Sequence, residues 1–160
     1  MTTRATAWFL LATCLAVFVA NPVRADHFPH YDCFEKASQR YQVDVKLLLA
    51  IAAVESQFDM TATNVNRNGT TDYGVMMINS HWEPKLEKLG ITWSEVQTSH
   101  CLNIHVGAWV LASNFAHVGV NWYAVGAYNA GFGTSERTRM NRLRYASKVH
   151  NALTTIEIQH

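Results

Sequence analysis

VKLLLAIAAVESQFDMTATNVNRNGTTDYGVMMINSHW, residues 45–82, contains the change of periodicity that decides the fold. Up to Phe58 it reads as an apolar helix, in which Glu55 is the only charged residue between Lys46 and Asp59. With a helical period, Leu48, Ile51, Ala52 and Phe58 fall on the face of Glu55. A carboxyl on such a face loses solvation of its charged form, which raises its pKa toward neutrality. That is the property a general acid requires. The plainer reading is a glutamate marking the solvent edge of an amphipathic helix. After Phe58 the helical spacing fails: Asn64, Asn66, Asn68 and Gly69 are turn formers, and Asp72 to Asn79 is a short apolar run. This pattern suits a small hairpin or irregular lobe.

Helix signals surround this segment on both sides. Asp44 is placed to cap the Glu55 helix, and Asp32 with Glu35 reads as a capping pair opening a helix through Tyr41. Thr92 with Glu95 repeats the pattern. The set Leu102, Val106, Trp109, Val110 and Ala116 predicts a core helix ending near Gly119. Asn121 opens a short helix up to Gly131, and the Arg-rich stretch from Glu136 to about Ile156 reads as a last amphipathic helix. The expected fold class is therefore mainly α, an α+β arrangement of a helical domain with one small hairpin lobe after the Glu55 helix.

Of the 160 residues, the first 25 or so have the layout of a secretory signal. Arg4 supplies a positive start, Ala7 to Ala20 an apolar run, and Val23-Arg24-Ala25 a cleavage site before Asp26. The apolar run is shorter than the roughly 20 residues of a spanning helix, so a stable membrane anchor is not expected. One domain over 26–160 is expected, as a monomer. Without Arg4 and Arg24, the 13 Lys+Arg become 11 against 12 Asp+Glu, a net charge near −1 that gives no sign of a nucleic-acid partner. Cys14 leaves with the signal, and the remaining Cys33 and Cys101 are expected to pair in an oxidising compartment. The eight histidines include no His-Glu-x-x-His, and no cysteine pair has zinc spacing, so neither metal nor cofactor is expected.

Glu-Ser-x-Phe at Glu55, Asp-Tyr-Gly-x-Met-x-Ile-Asn at residues 72–79 and Ala-Tyr-Asn-Ala-Gly at 127–131 occur in that order. Together they resemble the lytic transglycosylases of the lysozyme-like superfamily, the transglycosylase SLT domain family. The likeness is greatest to small exported enzymes that accompany type III and type IV secretion or conjugation machines, and it runs from Cys33 to about Ala152. It implies a lysozyme-like fold, a periplasmic location in a Gram-negative bacterium, and peptidoglycan glycan strands as substrate, with secretion or conjugation components as partners. The implied catalytic acid is Glu55, acting on the bond from N-acetylmuramic acid to N-acetylglucosamine to give a 1,6-anhydro product.

The resemblance also implies substrate-binding positions. These are Ser56 beside the acid, Asn64, the hairpin residues Gly74, Met76, Met77 and Asn79, and Tyr128 with Asn129. Met77 stands where the family usually has Gln, which removes an amide contact. The Tyr128 hydroxyl is expected to bond Glu55 or the sugar. Asp72 also matches the second carboxylate of animal c-type lysozyme, so it is a second catalytic candidate. A muramidase hydrolysing the same bond is therefore the alternative, and a catalytically weak wall-binding scaffold is another. Trp82 is the tryptophan best placed to stack on sugar, and Arg137, Arg139, Arg142, Arg144 and Lys148 form a basic helix face.

Overall fold

In a computed structural model of the chain, described over residues 28–157, seven helices are accompanied by one short sheet. The export signal expected over residues 1–25 lies outside the described residues. Helix α1 is Tyr31–Tyr41 and α2 is Val45–Ser56. Three short strands follow, β1 (Thr63–Val65), β2 (Thr71–Tyr73) and β3 (Ile78–Asn79), then a 3-10 turn over Ser80–Trp82. Helices α3 (Glu83–Glu87), α4 (Trp93–Thr98), α5 (His100–Val118), α6 (Trp122–Ala130) and α7 (Glu136–Thr155) complete the chain. Among the described residues no helix is long and apolar enough to cross a membrane.

Helix α2 is the centre of the core, with Leu48, Leu49, Ala50, Ile51 and Ala52 all fully buried. A helix that is apolar on every side has to be enclosed by other elements, and α1 and α7 pack directly on it. Its start is fixed by Asp44, whose carboxylate accepts from Lys46 N at 2.7 Å and Leu47 N at 3.3 Å. Its end comes two residues before the sequence reading placed it. Gln57 and Phe58 both adopt left-handed backbone, with φ of 55° and 65°. Such conformations are costly for non-glycine residues, and the Phe58 ring is held there against Phe28 and Phe34, at centroid distances of 5.3 and 6.3 Å. The chain therefore turns sharply away just past Glu55.

The lobe is a single antiparallel sheet in the order β1-β2-β3. Thr92 and Glu95 form the expected capping box on α4, and Asn121 caps α6 by accepting from Ala124 N at 3.0 Å. Two details depart from the sequence reading. Asp32 does not cap α1; it lies in the first turn and pairs with Lys36 at 3.2 Å, while His30 is the residue before the helix. Ala116 is exposed on α5, whereas the buried residues of that helix include Asn103 and Asn114. The short helix α3 has Pro84 in its first turn, but its five residues are too few to show a period.

Helices α6 and α7 approach so closely that only glycine fits at 126. A Cβ there would stand 2.5 Å from the Arg142 carbonyl oxygen. Cys33 of α1 and Cys101 of α5 form a disulfide spanning 68 positions. In the chain-entropy account a loop of that length stabilises by roughly 4 kcal/mol. Replacing both cysteines by Ala should therefore lower the thermal midpoint by about 10 °C, and calorimetry showing no shift would refute a stabilising role for the bridge.

Candidate active site

The lobe and the helical body enclose a cleft of about 910 Å³. Glu55 lies on its helical side, at the last turn of α2, and Asp72 lies on its lobe side. The sheet register explains the surroundings of Asp72. It is the central member of a cross-strand row, opposite Asn64 on β1 and Asn79 on β3, and directly opposed residues have their side chains in contact. Asp72 Oδ1 accepts from Asn79 Nδ2 at 2.6 Å, and Oδ2 accepts from Asn64 Nδ2 at 3.0 Å and Asn66 Nδ2 at 2.9 Å. Three amides thus solvate the carboxylate and fix its orientation.

Glu55 has different surroundings. The Tyr145 hydroxyl, from the middle of α7, donates to Glu55 Oε1 at 2.5 Å. Burial pushes the Glu55 pKa up from 4.5 to about 7. The Tyr145 bond opposes that rise, the charge of Asp72 adds to it, and Lys148 opposes it. Burial first, and then the Glu55 charge, hold the Tyr145 hydroxyl well above its usual range, so it remains a donor. Near neutral pH the cleft therefore offers one carboxyl poised between acid and base, facing a second carboxylate held by amides.

The remaining expected site residues divide into two groups. Asn64, Met77, Asn79, Tyr128 and Asn129 line the cleft, as does Trp82. Ser56, Gly74 and Met76 do not. The Ser56 hydroxyl donates to Val75 O at 2.8 Å and ties α2 to the lobe. Gly74, at φ 75°, lies against Asn103, where a Cβ would be 2.5 Å from Nδ2. Met76 is fully buried beside Gly107. The Tyr128 hydroxyl bonds neither Glu55 nor open cleft; it donates to Met76 O at 2.9 Å while its ring stacks on Tyr145. Trp82 stands edge-on to Trp109 at 5.3 Å, with the Lys85 ammonium over both rings.

The sequence reading missed Tyr145 and Asn66. Tyr145 belongs to a stripe of buried residues on α7, Arg142, Tyr145, Ala146 and Val149, whose helical spacing was obscured by the arginines around it.

Comparison with known proteins places this geometry. The profile of the transglycosylase SLT domain matches residues 32–151. The chain belongs to the transglycosylase SLT domain family. Protein IpgF of Shigella flexneri is 42% identical over 125 residues, which cover 78% of this chain and 80% of that protein. X polypeptide of Escherichia coli is 39% identical over 149 residues, covering 93% and 85%. Invasion protein IagB of Salmonella typhimurium is 40% identical over 118 residues, covering 74% and 72%. Among solved structures, an inactive mutant of lytic transglycosylase Slt from Pseudomonas aeruginosa superposes with a TM-score of 0.55 at 21% identity. That match covers 83% of this chain but 26% of the larger enzyme, and it shows the lysozyme-like fold. By family this SLT domain is a lytic transglycosylase.

Two measurements test the Glu55 environment. Its folded pKa lies above the unfolded value, so the folded state holds the proton more tightly and stability falls as pH rises from about 4.5 through about 7. Glu55→Gln should therefore stabilise the protein at pH 8 by roughly 1 to 2 kcal/mol, after allowance for partial exposure to the cleft, with the gain gone below pH 4.5. A less stable variant at pH 8 would contradict the burial argument. Tyr145→Phe removes a bond that favours the ionised form, so the alkaline limb of the activity profile should move to higher pH; an unmoved limb would exclude Tyr145 from tuning Glu55.

Proposed function

We propose that the chain is a peptidoglycan lytic transglycosylase that cleaves the bond from N-acetylmuramic acid to N-acetylglucosamine and leaves a 1,6-anhydro end. The observation that carries this reading is the Glu55 carboxyl, raised to about 7 in the cleft of an SLT-family domain. A group at that pKa gives and takes a proton with comparable ease at neutral pH. Protonated Glu55 delivers its proton to the glycosidic oxygen as the bond to C1 breaks. The resulting carboxylate then takes the proton of the muramic acid C6 hydroxyl, and that oxygen closes onto C1. One bond breaks, one forms, the acid regains its proton, and no water is consumed.

Asp72 stabilises the positive charge that develops on the sugar ring between these steps. Its two oxygens already accept three amide hydrogen bonds, which suits a fixed negative charge better than a nucleophile. Asn64 and Asn79 act mainly through Asp72, and Asn79 also caps the following turn by accepting from His81 N at 2.9 Å. The exported enzyme acts in the periplasm, opening the wall locally for a type III or type IV secretion or conjugation machine. The relationship to an invasion protein supports that setting.

Hydrolysis of the same bond is the second reading, because Asp72 shares the cleft with Glu55. Mass spectrometry of sacculi digested with the purified protein separates the two. Products lighter by one water than reducing-end muropeptides are expected, and reducing ends alone would establish the muramidase. No release would leave a wall-binding scaffold. Asp72→Asn should lower turnover by roughly 10- to 1,000-fold while keeping the anhydro product, whereas loss as complete as in Glu55→Gln would make Asp72 an obligatory partner in the chemistry.

A further inference from the structure

The basic face of α7 separates into groups with different surroundings. Arg139 is engaged by Glu136 through two bonds, at 2.8 and 2.6 Å. Arg142 is buried, donates to the carbonyls of Gly131 at 2.8 Å and Gly133 at 2.9 Å, and lies over the Tyr123 ring. Both have structural employment. Arg144 and Lys148 do not: they are exposed, one helical turn apart, and form no ion pair among the described residues. Like charges at that spacing repel and weaken a helix, so their pairing here is not explained by stability.

These two cations line a second cavity, of about 240 Å³, with Asn141 from the same face of α7. Glu55 and Asn129 line this cavity and the main cleft alike. The smaller cavity is therefore a side branch that meets the cleft at the general acid. Glu55 is the one carboxyl lining the branch among the described residues, and in its acid form it carries no charge. The branch then presents two positive charges and two amides to whatever enters it.

We propose that this branch binds the acidic peptide carried by the sugar at whose C1 the reaction occurs. Resting on the proposed function, the inference adds the recognition of a second part of the substrate. The glycosidic oxygen has to lie at Glu55, so the substituents of the adjoining muramic acid lie beside the mouth of the branch. A carboxylate of the peptide pairs with Arg144 and Lys148, and peptide amides bond Asn129 and Asn141. Arg144 is the cleaner residue to change, because Lys148 also acts on Glu55 through its charge.

The test compares glycan strands that carry peptides with the same strands stripped by an amidase. Arg144→Gln should raise KM about three- to tenfold on peptide-bearing strands, with kcat little changed and no effect on stripped strands. It should also remove most of the salt dependence of KM seen with the wild type. An equal loss on both substrates, or none on either, would overturn the inference. Should the wild type release no anhydro product from either substrate, the proposed function fails instead. The branch is then judged by NMR titration of the wild type with a muramyl tripeptide. Shifts at Asn141, Arg144 and Lys148 that the unsubstituted disaccharide does not produce would support it, and their absence would overturn it.

Discussion

A single buried amide holds the two sides of the cleft in register. Asn103, on α5, is 2% exposed. Its Oδ1 accepts from Met76 N at 3.0 Å, and its Nδ2 donates to Tyr73 O at 2.9 Å and Val96 O at 3.3 Å. A buried amide with all of these partners is rigid, and losing them leaves several orphaned polar groups. The strands of the lobe are only two or three residues long, too short to hold a position by their own pairing. Asn103 instead fixes the lobe to α5 and α4, and Gly74 permits the necessary approach. The separation of Asp72 from Glu55 follows from that attachment, helped by the Ser56 and Tyr128 bonds to Val75 and Met76.

On this frame the chemistry is a balance at one carboxyl. Burial favours the protonated form of Glu55, and hydrogen bonds donated to the carboxylate favour the ionised form. Tyr145 supplies one donor, and Lys148 a more distant charge, against burial and the repulsion of Asp72. The outcome near 7 comes from partial compensation. Asp72, on the central strand of the polar lobe, has three amide donors instead. The sheet row and the helix end thus give two carboxyls of the same cleft unlike surroundings.

Much of this was legible in the sequence because local chemistry determined it. Asp44, Thr92 and Asn121 cap the helices they precede, the loss of period after residue 58 marks the lobe, and the isolation of Glu55 on an apolar helix points to a desolvated acid. What escaped depended on contacts between distant segments. The helix carrying Glu55 ends early because Phe58 is drawn toward Phe28 and Phe34, which no propensity of Gln57 or Phe58 reveals. Asp32 has a capping residue type but sits two residues past the cap position, which His30 occupies. Tyr128 looked like the partner of Glu55, yet packing against α7 gave that place to Tyr145 and turned Tyr128 toward a backbone carbonyl. Ser56 and Met76 belong to the right motifs and serve the frame instead of the cleft.

The Tyr145 contact with Glu55 joins residues 90 positions apart. Contacts of long sequence separation form late, because the intervening chain has to be ordered first. Both carboxyls and the lobe lie in the first half of the chain, whereas Tyr145 arrives with the last helix. A chain ending before residue 136 lacks both the hydroxyl that bonds Glu55 and the helix that covers one side of α2. The polar partner of Glu55 is thereby in place only once α7 has seated against α2.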